Sequence, residues 1–222
     1  MKDENIHLQQ IDPVKKQAEV SALDRGSQYS PLSPPDALTP PSNVKVLYDN
    51  LHPYLKLLVD DHNRLKIEME KFQLVLLDLS ASRDVLGKNA QAVKSFFDIF
   101  MTEFIQHNQQ EEKILFPILA KRFLEVGEHS KAARPITPID ILKNEHIEAM
   151  QVGAEARCTW ALIHQIIDPS SQTILLGNFL RKSHTLLEMM RLHIFREDDI
   201  VFSLAQKHLT PGQLDEMLES SK

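Results

Sequence analysis

From residue 44 onward, apolar positions recur at intervals of three and four, the period of a helix with one buried face. Four long helices are predicted on this pattern. The first runs from about Pro53 to Asp78, with Asn50 near its start. The second runs from about Leu86 to Phe123, with Asp84 as its cap, and Pro117 is expected to bend or end it near its last turn. The third opens with Thr137 as N-cap, Pro138 at the first helical position and Asp140 in the first turn, and continues to about Ile167. The fourth starts after residues 168–171 and continues to about Gln206. A short fifth helix follows Thr210-Pro211, where Gln213 completes a capping box. The links of roughly 6, 13 and 4 residues favour antiparallel neighbours. The predicted fold is all-α: an antiparallel up-down-up-down four-helix bundle with a short C-terminal helix and a Pro-rich N-terminal arm.

The arm is set apart by composition. Of the 12 prolines, Pro13, Pro31, Pro34, Pro35, Pro40 and Pro41 precede residue 43, and none of the 10 phenylalanines does. Residues 30–42 cannot hold a helix and have little to bury. Residues 1–43 are therefore expected to be a disordered or extended arm, open to a protein partner, and 44–222 a helical bundle domain.

Charge and cysteine content narrow the chemistry. The formal net charge is −6, which disfavours nucleic acid as a partner and gives no attraction to an anionic membrane. The single cysteine, Cys158, excludes an intrachain disulfide framework, a thiolate zinc site and a Cys-ligated iron–sulfur cluster. No apolar run reaches the length of a membrane span, and the polar start lacks a signal-peptide core. A cytoplasmic location is expected. With only 6 glycines, no phosphate-binding glycine loop, HExxH or GxSxG is present.

Ten histidines change the picture. Each predicted long helix carries one on its apolar face: His62 among Leu55, Leu58 and Leu65; His107 among Phe100, Phe104 and Ile114; His146 among Ile139, Leu142 and Ala149; His193 among Leu186, Met190 and Val201. Counted from the turns at a rise of about 1.5 Å per residue, the four fall close to one layer. Two carry a carboxylate one turn later, His107 with Glu111 and His193 with Glu197, and i, i+4 spacing places each pair on one face. Buried glutamates are costly unless paired or bound to a cation. Four imidazoles and two carboxylates without a thiolate suit a pair of ions such as iron or manganese.

Other histidines do not join this layer. His184 also precedes a glutamate by four, Glu188, but stands half a turn from His193 on a face that carries Arg181 and Arg191. His164 lies about 27 Å along the helix from His146 and is expected at a helix end near Asp168. The Glu-x-x-His pairs of ferritin-like bundles are represented only by Glu4 and His7, in the arm. Met150, Met189, Met190 and Phe104 are expected around the centre, Trp160 and Cys158 in helix packing, and Asp60 or Asp61 behind a ligand imidazole. Glu112, Asp198 and Asp199 are expected to be solvated or to support the ligands from behind.

The order His62, then HNQQE (107–111), His146 and HIFRE (193–197), with VDDHNRL (59–65) and LKNEHIEAM (142–150), resembles the hemerythrin-like, or HHE cation-binding, family over roughly residues 48–206. The resemblance implies a non-haem di-iron centre with two iron ions, manganese being the second choice. It implies His62, His107, His146 and His193 as terminal ligands and Glu111 and Glu197 as bridges. Oxygen-carrying members have a fifth histidine where this chain has Met150, and an aspartate bridge where it has Asp198, which makes Asp198 a rival to Glu197. Four histidines leave an open position, so the expected partner is a small diatomic ligand, O2 or NO, or peroxide, in sensing, detoxification or iron handling. The pattern is also similar to di-iron proteins that repair iron–sulfur clusters, whose N-terminal domain carries a cysteine that this arm lacks. A helical interaction module with a structural metal site is the reading from a different class.

Overall fold

A computed structural model describes residues 45–130 and 133–221. The predicted arm, 1–43, lies outside the described residues. Every regular element among the described residues is a helix, with no strand among them. A 3-10 turn at Tyr48–Asn50 leads into α1, Pro53–Ser82. Helix α2 is continuous from Gly87 to Val126 and has two π turns, Phe100–Phe104 and Glu111–Leu115. Helix α3 is Pro138–Ile163. Helix α4 runs from Pro169 to His208 with a π turn at Glu197–Val201. Helix α5 is Pro211–Ser220.

The helix starts follow local chemistry. Thr137 and Asp140 form a reciprocal capping box ahead of Pro138, as do Thr210 and Gln213 ahead of Pro211. Asp168 accepts a hydrogen bond from the Ser171 backbone N–H to cap α4. Asn50 ends the 3-10 turn just ahead of α1, and the helix itself is capped by the His52 ring, which accepts from the Tyr54 N–H. One expectation is corrected. Asp84 accepts from the Leu86 N–H inside the connecting turn, so it holds the turn and not the helix, which begins at Gly87.

Pro117 neither ends nor breaks α2, which continues to Val126. It stands two residues after the end of a π turn, in the first turn of the resumed α-helix, where its missing N–H and bulky ring are accommodated. The turn is not made by the proline: α4 has the same five-residue turn with Ser203 at the corresponding place. Both turns start on the glutamate of an HxxxE motif.

Two apolar cores lie on either side of one polar layer. The first joins the second half of α1 (Leu65 to Leu79), the first part of α2 (Val93 to Phe104), the second half of α3 (Ala149 to Ile163) and the first part of α4 (Leu176 to Ile194). The second joins the opposite halves, Leu55 and Leu58, Leu115 to Phe123, Ile139 and Leu142, and Val201 to Leu209, closed by Leu214 and Met217 of α5. Between the two sets the buried residues are His62 on α1, His107, Asn108 and Glu111 on α2, His146 on α3, and His193 and Glu197 on α4. No described helix is long and apolar enough to cross a membrane.

Candidate metal centre

All six predicted ligands meet in that layer, and all are at most 3% exposed. His62 and His107 bring their Nε2 atoms within 2.8 Å of each other, and His146 and His193 within 3.1 Å. The glutamates reach both pairs. Glu197 Oε2 is 3.2 Å from His62 Nε2 and 3.1 Å from His193 Nε2. Glu111 Oε2 is 3.5 Å from His107 Nε2 and 3.6 Å from His146 Nε2. The six residues thus form two groups of four that could each hold a metal ion. His62 and His107 make one group with Glu111 and Glu197, His146 and His193 the other, with both glutamates shared.

Every imidazole is turned the same way, with Nε2 inward and Nδ1 toward a carboxylate. His62 Nδ1 meets Asp198 at 2.7 Å, His107 Nδ1 meets Asp61 at 3.4 Å, His146 Nδ1 meets Glu112 at 2.8 Å and His193 Nδ1 meets Glu145 at 3.1 Å. A carboxylate at Nδ1 holds the proton there and leaves the Nε2 lone pair free, the tautomer that a metal ligand needs. Of the two aspartates proposed for this task, Asp61 performs it; Asp60 accepts from the Tyr48 hydroxyl instead. Glu145 was not singled out in the sequence, although it directly precedes His146 as Asp61 precedes His62. Asp198 turns outward to Nδ1 while Glu197 turns inward, and Asp199 pairs with Lys45 at 2.5 Å.

The site has an internal repeat. HNQQEEKILF (107–116) and HIFREDDIVF (193–202) share HxxxE, a π turn and a closing phenylalanine. The rings close over the opposite halves: Phe116 stacks on His146 at 5.5 Å and Phe202 on His62 at 5.7 Å. Phe104 meets His146 and His193 edge-on, as expected, and Met190 is buried in the same core. The repeat breaks in two places. Lys66 holds Asp198 at 2.7 Å, and Met150 takes the equivalent place on α3. Asn108 follows His107, where Ile194 follows His193.

Electrostatics without a cation is unfavourable. Burial, and then the charge of Glu197, push Glu111 well above the usual carboxylate range. Burial also opposes ionisation of Glu197, but His193 and His62 outweigh it and hold that carboxyl well below its usual range. Burial disfavours a charged His62, yet Asp198 and Glu197 raise it. Burial and the neighbouring His193 lower His146 to about 4, and burial lowers His107. All four glutamate oxygens are buried without a hydrogen bond. Four inward Nε2 atoms and four carboxyl oxygens without hydrogen-bond partners match the donor set of cations with nitrogen and oxygen ligands.

Away from the site, His164 is the C-cap residue of α3, at the helix end as expected, where its ring bonds the Trp160 and Val85 carbonyls, while the Asp168 carboxylate caps α4. One expectation is corrected. Cys158 is exposed, on the outer side of α3, while Trp160 is buried.

The fold and site define an all-helical protein with a buried histidine–glutamate cluster able to hold metal ions. The family model for the hemerythrin HHE cation binding domain matches residues 54–205, which is 152 of 222 residues. The chain belongs to that family. No curated protein matches its sequence.

Proposed function

We propose that residues 44–222 form an antiparallel up-down-up-down bundle holding a non-haem di-iron centre that binds or reacts with O2, NO or peroxide. His62 and His107 hold one ion and His146 and His193 the other, with Glu111 and Glu197 bridging. The observation that carries this reading is that two four-residue groups share both glutamates. When bound, the ions supply Lewis-acid and redox chemistry at positions that the protein leaves open.

The remaining work falls to the chain's own residues. Asp61, Glu112, Glu145 and Asp198 keep the Nδ1 protons in place and the rings oriented. Phe104, Phe116 and Phe202 pack against the imidazoles and exclude bulk water. Each ion receives two nitrogens and two shared carboxylates, fewer donors than an octahedral ion takes, which supports an exchangeable position.

The test is metal content per chain, by elemental analysis of untagged protein reconstituted with ferrous iron. About two irons per chain are expected for two four-donor groups. A protein that keeps no metal, or a single zinc, would overturn the reading.

A further inference from the structure

The donor set is symmetric, yet what adjoins it is not. Ile194, the residue after His193, belongs to the first apolar core. The equivalent residue after His107 is Asn108, only 3% exposed, and both its Oδ1 and its Nδ2 lack a hydrogen-bond partner. A buried carboxamide without partners is disfavoured, and native structures seldom keep one unless a molecule meets it.

Its place on the helix points toward the centre. On α2, Asn108 is four residues after Phe104, whose ring touches His146 and His193, and three before Glu111. Residues at these spacings are neighbours on one helix face. Asn108 therefore shares a buried face of α2 with the ring that packs on the histidines and the carboxylate that both groups share. No side chain of the polar layer satisfies it. The Ile194 side offers only hydrocarbon.

We propose that the Asn108 carboxamide donates a hydrogen bond to a small anionic or polar ligand taken up by the centre, and so directs that ligand to the Asn108 side of an otherwise symmetric site. The inference rests on the di-iron reading above. The recognised class is a small molecule with a terminal acceptor atom, such as azide, superoxide, peroxide or nitric oxide. Asn108 is a positioning residue for it and not a metal ligand.

The experiment compares wild type with Asn108→Leu, a nearly isosteric change. Azide is titrated into the oxidised, iron-loaded proteins and followed by its charge-transfer absorption, and thermal melting is recorded for both proteins free of metal. The iron content of N108L is expected to equal that of wild type, with azide bound about tenfold more weakly, the effect of losing one hydrogen bond to a charged group. Metal-free N108L is expected to melt about 2–4 °C higher, because two orphaned polar groups are gone. Asn108→Ala, which removes the same polar atoms without adding bulk, carries the same expectation for azide if N108L does not fold. Equal azide affinity with two irons in each protein would overturn this inference alone. Wild type without metal would overturn it together with the reading beneath it.

Discussion

His62 Nδ1 lies 2.7 Å from Asp198 Oδ1, and the other oxygen of that carboxylate is held by Lys66 at 2.7 Å. Asp198 is the residue after Glu197, so adjacent carboxylates on α4 address opposite edges of the same imidazole. Glu197 meets Nε2 at 3.2 Å while Asp198 takes Nδ1. The same relation holds on α2, where Glu111 faces the layer and Glu112 takes His146 Nδ1 at 2.8 Å.

This geometry separates the effects of adjacent substitutions. Glu197→Gln removes a shared anionic oxygen, so iron content is expected to fall from about two per chain to one or fewer. Asp198→Asn leaves the donor set intact and only loosens His62, so two irons are expected with affinity about 10–100-fold weaker. Competition with a chelator of known affinity measures both. The reverse ranking would make Asp198 the bridge.

Metal loading should depend on pH in a definite direction. His62 is raised from its usual value because Asp198 and Glu197 outweigh the effect of burial, and Glu111 is raised by burial and by Glu197. An ion must displace both protons to reach Nε2 and the bridging oxygens. Loading is therefore expected to tighten as pH rises, and to go on tightening beyond about 6.5, the ordinary imidazole value that His62 exceeds, by up to about tenfold per unit for each proton displaced. Titrations with ferrous iron at about pH 5.5 and about pH 7.5, on either side of the ordinary imidazole value, measure the rise. Equal affinities would show that these groups carry no proton in the free protein.

The sequence held most of the fold and the inner ring of the site. Periodicity and the Thr137 and Thr210 boxes located the helices, because a helix start depends on a few adjacent residues. The level of the four histidines followed from counting rises between turns. The π turns were not legible: a one-residue widening leaves the apolar stripe almost unchanged, and only the repeat of HxxxE before Phe116 and Phe202 hints at them. Glu145 was missed because its partner, His193, is 48 positions away on another helix. Its signal was the parallel between Asp61-His62 and Glu145-His146. His52 escaped as the cap of α1 because imidazole is an uncommon N-cap.

Metal-free protein should show the cost of Glu111 as a slope in stability. A carboxyl raised in the folded state holds a proton that the unfolded chain has released, so the stability it allows is present below about pH 4.5 and declines as pH rises toward its native value. Glu111→Gln abolishes that decline. The advantage of E111Q over wild type is expected to grow by up to about 1.4 kcal/mol per pH unit above 4.5 and then level off. Urea unfolding of the two metal-free proteins across pH checks this. Parallel profiles would place Glu111 at an ordinary value.

At Gly153, α3 packs directly against the aromatic column of α2. A Cβ at this position would stand 2.4 Å from the Phe100 ring. Phe100 cannot swing aside freely: it is 1% exposed and stacks on Phe104 at 5.0 Å. Phe104 in turn contacts His146 and His193. Two effects oppose each other in Gly153→Ala. The change gains about 1 kcal/mol of helix propensity, and overpacking costs about 1–3 kcal/mol. The close contact is with a confined ring, so overpacking is expected to win, lowering the melting temperature by about 2–4 °C per kcal/mol lost. Because the displacement passes through Phe104, iron affinity should fall as well, whereas Gly177→Ala, with nothing within 4 Å of its Cβ, should raise stability and leave iron binding unchanged. Melting and chelator competition on the two variants would show whether the column of rings couples α3 packing to the centre; an iron affinity untouched in a destabilised G153A would show that it does not.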